Sequence, residues 1–133
     1  MSHPPRSSAY DLARVLLVDD DPDIVEGLQR LLERAGCAVE IAKDGEEALA
    51  KLSSHKPDIL FLDLMMPQVN GFDVLKEIET KKLLDDTRIF IFTAKHLAPQ
   101  QYEYLQQRVE KILQKGSVNL PKVVSMLNER SAA

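Results

Sequence analysis

Five side chains in this sequence carry groups that could act together on a phosphoryl group: Asp19, Asp20, Asp63, Thr93 and Lys115. Each stands where a short apolar run stops. RVLLV precedes Asp19, Asp20 and Asp21; ILFL precedes Asp63; IFIF precedes Thr93; and VEKILQ precedes Lys115. Three carboxylates held close together repel one another, which raises their pKa values unless a cation is present. Ligands that are all oxygen select a hard ion, and a site with few carboxylates suits octahedral Mg²⁺ completed by water, with Mn²⁺ as a substitute. The metal and the Lys115 ammonium would neutralise the oxygens of an incoming phosphoryl group. Asp63 would then be the nucleophile, forming an aspartyl phosphate, and Thr93 could donate its hydroxyl to a phosphoryl oxygen. Taken singly, each residue has an ordinary role: the acids as a solvated helix cap, Thr93 as a loop hydroxyl, Lys115 as a surface charge.

The elements that must position these groups follow from the hydrophobic pattern. Ile59 to Leu62 reads as a strand buried on both faces, the mark of a parallel sheet. Arg14–Val18, Ala38–Ala42 and Ile89–Phe92 read as further strands, and Val109–Gln114 as a fifth, more amphipathic one. Asp21 and Pro22 open a helix as N-cap and first helical residue, with Ile24, Leu28, Leu31 and Leu32 at helical spacing and Gly36 as its stop. Asp44 to Glu47 resembles a capping box before a second helix. The turn through Pro67 and Asn70 starts a third, with Phe72, Leu75 and Ile78 facing inward. Pro99 begins a fourth that runs to about Arg108, and Pro121 a fifth. Strict β-α alternation predicts an α/β fold, a doubly wound five-stranded parallel sheet with helices on both faces. Five strands favour the flavodoxin-like order 2-1-3-4-5. In that order strands 1, 3, 4 and 5 are neighbours, so the five side chains meet at one edge.

Length and composition bound the rest. The chain has 133 residues, 44% hydrophobic and 29% charged, enough for one domain with a proper core. The expected domain is 12–130, between a flexible N-terminal tail, 1–11, and a C-terminal tail, 131–133, with no room for an attached output domain. A net charge of −4 argues against nucleic-acid binding, which needs a basic face. No apolar run reaches the ~20 residues of a membrane span, and no secretory signal is visible. The single cysteine, Cys37, is expected to be buried, and the absence of disulfides fits a cytoplasmic protein. His3, His55 and His96 are scattered and read as solvated.

The motifs VLLVDDDPD, ILFLDLMMPQVNG and IFTA, with a strand-ending lysine, resemble the receiver domain of two-component response regulators, including chemotaxis receivers, from about Arg14 to Asn128. The resemblance implies that Asp63 is the phosphoacceptor. It implies that Asp19 and Asp20 hold Mg²⁺ with Asp63, that the backbone carbonyl of Met65 adds a ligand, and that Thr93 and Lys115 contact the phosphoryl group. Met66, Ala94, Lys95, Ile112 and Gly116 would tune the site. The partner implied is a histidine kinase or histidine phosphotransfer protein, with a downstream protein target and a monomer or weak dimer. Such a domain assists its own phosphorylation and slow dephosphorylation but is not an enzyme acting on other substrates.

Two positions depart from the pattern. Gly116 stands where the family has proline, often in cis; glycine instead strongly favours a trans bond after Lys115. Ile112 stands where the family tends to carry an aromatic that follows the threonine as a switch. This RVEKILQKG version resembles receivers of hybrid histidine kinases. Among other readings, a constitutive, non-phosphorylated interaction module would not need all five pocket residues. A Mg²⁺-dependent phosphatase would need a general acid beside the nucleophile, and a flavin protein would need glycines and hydroxyls where this chain has acids.

Overall fold

The computed structural model describes residues 13–66, 68–94 and 96–127; both expected tails, and residues 12 and 128–130 of the expected domain, lie outside them. Strands β1 (Arg14–Val18), β2 (Ala38–Ala42), β3 (Ile59–Asp63), β4 (Arg88–Thr93) and β5 (Lys111–Gln114) alternate with helices α1 (Pro22–Arg34), α2 (Gly45–Ser54), α3 (Gly71–Lys81), α4 (Pro99–Gln106) and α5 (Leu120–Met126). The sheet is parallel throughout, in the order β2-β1-β3-β4-β5. This is the doubly wound fold expected from the alternation.

Period-two alternation sorts the central strands into two cores. Leu16 and Val18 of β1, Leu60 and Leu62 of β3, and Ile89 and Ile91 of β4 face α2, α3 and α4, meeting Ala48, Leu52, Val74, Ile78 and Leu105. Val15, Leu17, Ile59, Phe61, Phe90 and Phe92 face the other way, toward Leu28 and Leu32 of α1 and Val123 of α5. Three phenylalanines stack on that side, with ring centroids 5.2 Å apart for Phe61–Phe90 and 5.8 Å for Phe61–Phe92. Full burial of each contributes about 1.5–3 kcal/mol. Cys37 is buried in this layer.

Side-chain caps fix where the helices start. The Asp21 carboxylate accepts from the Asp23 N–H at 3.1 Å, with Pro22 in the first turn. Asn70 and Asp73 form a reciprocal capping box at 3.0 and 3.1 Å. Such a cap contributes about 1 kcal/mol. At α2 only half of the expected box forms: Asp44 accepts from the Glu47 N–H at 2.8 Å, while Glu47 reaches past the cap to the Lys43 N–H at 2.7 Å.

Two expected boundaries are corrected. Helix α4 ends at Gln106 rather than Arg108, and β5 begins at Lys111 rather than Val109. The N–H groups of Arg108 and Val109 both donate to the Leu105 carbonyl at 2.9 Å, closing the last helical turn, and the ladder to β4 resumes only with Glu110 N–H to Ile89. Arg108 has its own anchorage: it donates to Glu79 on α3 at 2.8 Å and to the Tyr104 carbonyl at 2.9 Å, and covers the Tyr104 ring at 3.8 Å. His55 is also not simply solvated. Parallel pairing of β2 brings Glu40 to the end of α2, and the two side chains meet at 2.5 Å; this contact, helped by Lys51, holds the Glu40 carboxyl below its usual pKa.

Candidate functional site

Parallel strands place their C-terminal ends together, and here that edge collects acids. Asp63 is the last residue of β3 and Asp19 follows β1 directly; each is 1% exposed. Apolar neighbours draw both carboxylates inside, since Val15–Val18 before Asp19 and Ile59–Leu62 before Asp63 are buried. Asp20, one residue further on, is exposed. Carboxylate oxygens of Asp19, Asp20 and Asp63 all lie within 4.8 Å of one another. Thr93 ends β4 beside them and is buried.

Lys115 enters from the neighbouring strand. It opens a 3₁₀ turn, Lys115–Ser117, straight after β5, and its ammonium reaches back across the edge. Nζ donates to Asp19 Oδ1 at 2.9 Å and lies 3.3 Å from Asp63 Oδ2. Asp21, the cap of α1, is at 3.9 Å. The first-strand acids therefore supply a third carboxylate to Lys115, which the sequence showed only as a helix cap. The peptide bond to Gly116 is trans, as expected.

Backbone amides add a hydrogen bond to one oxygen of each buried acid. Asp21 N–H donates to Asp19 Oδ1 at 2.9 Å, and Met65 N–H donates to Asp63 Oδ1 at 3.1 Å. One oxygen on each buried acid, Asp19 Oδ2 and Asp63 Oδ2, has no hydrogen-bond partner. For Asp63 Oδ2 the Lys115 contact is an ion pair whose direction is off that of a hydrogen bond. Buried anionic oxygens without partners are costly, and a hard cation is the group that satisfies them. The donor set fits Mg²⁺: three carboxylates, all oxygen, converging on one point.

Burial pushes the Asp63 carboxyl up to about 6, and the Asp19 charge adds to the rise against the opposing Met65 N–H and Lys115. For Lys115, burial favours the neutral amine, but the hydrogen bond and charge of Asp19, together with Asp63, outweigh it and leave the ammonium above its ordinary pKa. The cation is thus fixed in its charged state.

The remaining expected residues surround this centre unequally. Met65 projects its side chain outward, 47% exposed, while Met66 is buried. Ala94 and Gly116 are exposed at the rim. Ile112 is half-buried and packs with the α2–α4 core, away from the phenylalanine layer. Lys95 lies outside the described residues.

Residues 15–128 match the family model described as the response regulator receiver domain. The chain belongs to that family. Among curated proteins, the receiver is 45% identical over 82 residues to the alkaline phosphatase synthesis transcriptional regulatory protein PhoP of Bacillus subtilis, covering 62% of this chain and 33% of that protein. It is 37% identical over 102 residues to response regulator MprA of Mycobacterium avium, covering 77% of this chain and 44% of that one. The receiver therefore spans less than half the length of these relatives. Among solved structures it resembles a CheY-like receiver domain protein of Methanospirillum hungatei (TM-score 0.78, 26% identity, 90% of this chain and 93% of that one). It also resembles TrrA of Thermotoga maritima, solved in complex with Mg²⁺-BeF (TM-score 0.73, 31% identity, 89% and 98%). No helix among the described residues is long and apolar enough to cross a membrane.

Proposed function

We propose that this receiver accepts a phosphoryl group on Asp63 from a phosphohistidine of a histidine kinase or histidine phosphotransfer protein, in the cytoplasm, with Mg²⁺ held by Asp19, Asp20, Asp63 and the Met65 carbonyl. The observation that carries the reading is the Asp63 Oδ2 atom, buried, without a hydrogen bond and 3.3 Å from a fixed ammonium. In the transfer this oxygen attacks phosphorus, the phosphorus–nitrogen bond breaks, and the electron pair leaves on the donor imidazole. Lys115 and Thr93 bind phosphoryl oxygens, and bound Mg²⁺ supplies charge neutralisation. Water later attacks phosphorus and releases phosphate, regenerating the carboxylate. A resemblance to a structure that carries Mg²⁺-BeF supports the same arrangement. A downstream protein reads the phosphorylated state; neither nucleic acid nor membrane is a partner, and the chain is a monomer or weak dimer.

The test is the intact mass of the protein after incubation with acetyl phosphate and Mg²⁺. One added phosphoryl group is expected, absent in Asp63→Asn. Phosphorylation of undiminished stoichiometry in that variant would overturn the assignment.

A further inference from the structure

The loop from β3 to α3 carries Met65, whose N–H holds Asp63 Oδ1, and it is pinned at two places by glycines that have no spare room. A Cβ placed on Gly45, the first residue of α2, would lie 2.4 Å from the Val69 carbonyl oxygen, 2.6 Å from Val69 Cγ1 and 2.8 Å from Val69 Cβ. At the loop's far end a Cβ on Gly71 would lie 2.7 Å from the Asp63 carbonyl oxygen and 2.8 Å from Leu64 Cα. Just before Val69, Gln68 turns the chain in the left-handed region, with φ 64°, which residues with a side chain rarely adopt. Gly27 in α1 offers a contrast: its Cβ would meet only the end of the flexible Leu120 side chain, at 2.9 Å.

We infer that Gly45 and Val69 are positioning residues: the first turn of α2 is the shelf on which the β3–α3 loop rests, and it sets where the Met65 backbone stands beside Asp63. The contact is to backbone, so no change of rotamer relieves a methyl added at Gly45; the Val69 carbonyl or the start of α2 must move. Either movement shifts Val69, which stands on the same loop as Met65, while the Gly71 end stays fixed against Asp63. A metal site loses about 10–100-fold in affinity when groups that orient its ligands are disturbed. The inference rests on the reading of Asp63 and Met65 as metal ligands, and it assigns to α2 a part in that site that no chemistry-bearing side chain would reveal.

The test compares the whole chain with its Gly45→Ala, Val69→Ala and Gly27→Ala variants. Two quantities are measured: the Mg²⁺ dependence of the melting temperature, and the Mg²⁺ dependence of phosphorylation by acetyl phosphate. Gly45→Ala should weaken Mg²⁺ binding by about tenfold or more, and Val69→Ala, which adds no atoms and keeps the fold, by a smaller factor. Gly27→Ala should leave Mg²⁺ affinity unchanged whatever it does to the metal-free melting temperature. A Gly45→Ala protein that melts lower but binds Mg²⁺ as the wild type does would reduce the contact to ordinary packing and overturn the inference. If Gly45→Ala does not fold, unchanged Mg²⁺ affinity in Val69→Ala overturns it. If the wild type binds Mg²⁺ but takes no phosphoryl group, the phosphoacceptor reading fails while the thermal shift still tests the role of α2.

Discussion

Lys115 Nζ stands closer to Asp19, at 2.9 Å, than to Asp63, at 3.3 Å. The ammonium is therefore tethered mainly to the carboxylate that we do not assign as nucleophile. It sits between two buried acids and cancels part of their repulsion while leaving one oxygen of Asp63 without a hydrogen bond.

Removing that ammonium should expose the repulsion. Lys115→Ala is expected to destabilise the metal-free protein at pH 7.5 by about 3 kcal/mol, the scale for leaving a buried charge unpaired. Mg²⁺ should recover much of the loss, because it neutralises the same oxygens. Urea unfolding with and without Mg²⁺ measures both; a loss that Mg²⁺ does not touch would place Lys115 outside the acidic centre.

The Asp63 carboxyl gives a pH dependence of definite sign. Its pKa rises from 3.8 to about 6 on folding, so the folded state binds the proton more tightly than the unfolded chain. The resulting stability is fully present below pH ~4 and is lost as pH rises toward 6. Metal-free wild type should therefore lose stability between those values relative to Asp63→Asn, and the variant should be the more stable of the two at pH 7.5. Denaturation of both proteins at pH 4.5 and 7.5 without metal gives the difference directly.

Asp20 is the exposed member of the acid cluster, so its loss should spare the fold and remove metal binding. At tenfold excess over its dissociation constant Mg²⁺ should stabilise the wild type by about 1.4 kcal/mol, or roughly 5 °C. Asp20→Ala should melt within a degree or so of the metal-free wild type and show little of this rise. An undiminished rise would remove Asp20 from the ligand set.

Output should stay near the pocket. Ile112 has neither ring nor hydroxyl to follow Thr93, and Arg108 fastens the end of α4 to Glu79 of α3. A phosphoryl group shifts a conformational equilibrium only by its differential interaction with the two states. Chemical shifts on adding beryllofluoride should concentrate at 94–99, at the turn holding Gly116, and in α1 from Asp21 to Val25. Large changes across Tyr102, Leu105 and Val123 with quiet loops would show that the α4, β5 and α5 face carries the signal after all.

Most of this architecture could be read from the chain because the sheet is parallel. Strands buried on both faces leave uninterrupted apolar runs, and the polar residue ending each run marks the edge where ligands bind. Asp19, Asp63, Thr93 and Lys115 are legible for that reason. What stayed hidden depends on geometry between elements. The overlong β5 follows from reading Val109 as a strand residue, when its N–H closes a helical turn. Glu40 meets His55 only through the register of β2, and Asp21 approaches Lys115 only because a 3₁₀ turn follows β5. The close seat of Val69 on Gly45 has no sequence signal beyond a glycine that reads as part of a cap.

The strand order has a consequence for how the chain comes together. β1 is followed first by β2, yet its other edge pairs with β3, and β4 must settle before β5 has a partner. Sheets closed by such distant pairings fold slowly. Until Ile59–Asp63 docks, β1 presents a bare apolar edge, and a growing chain that stalls before that point is a candidate for aggregation. Asp19 and Asp63 are brought together at that step, whereas Lys115 arrives only with the last strand. In a chain growing from its N-terminus the two acids are thus made before their internal counter-charge, and a divalent cation is the group able to neutralise them over that interval.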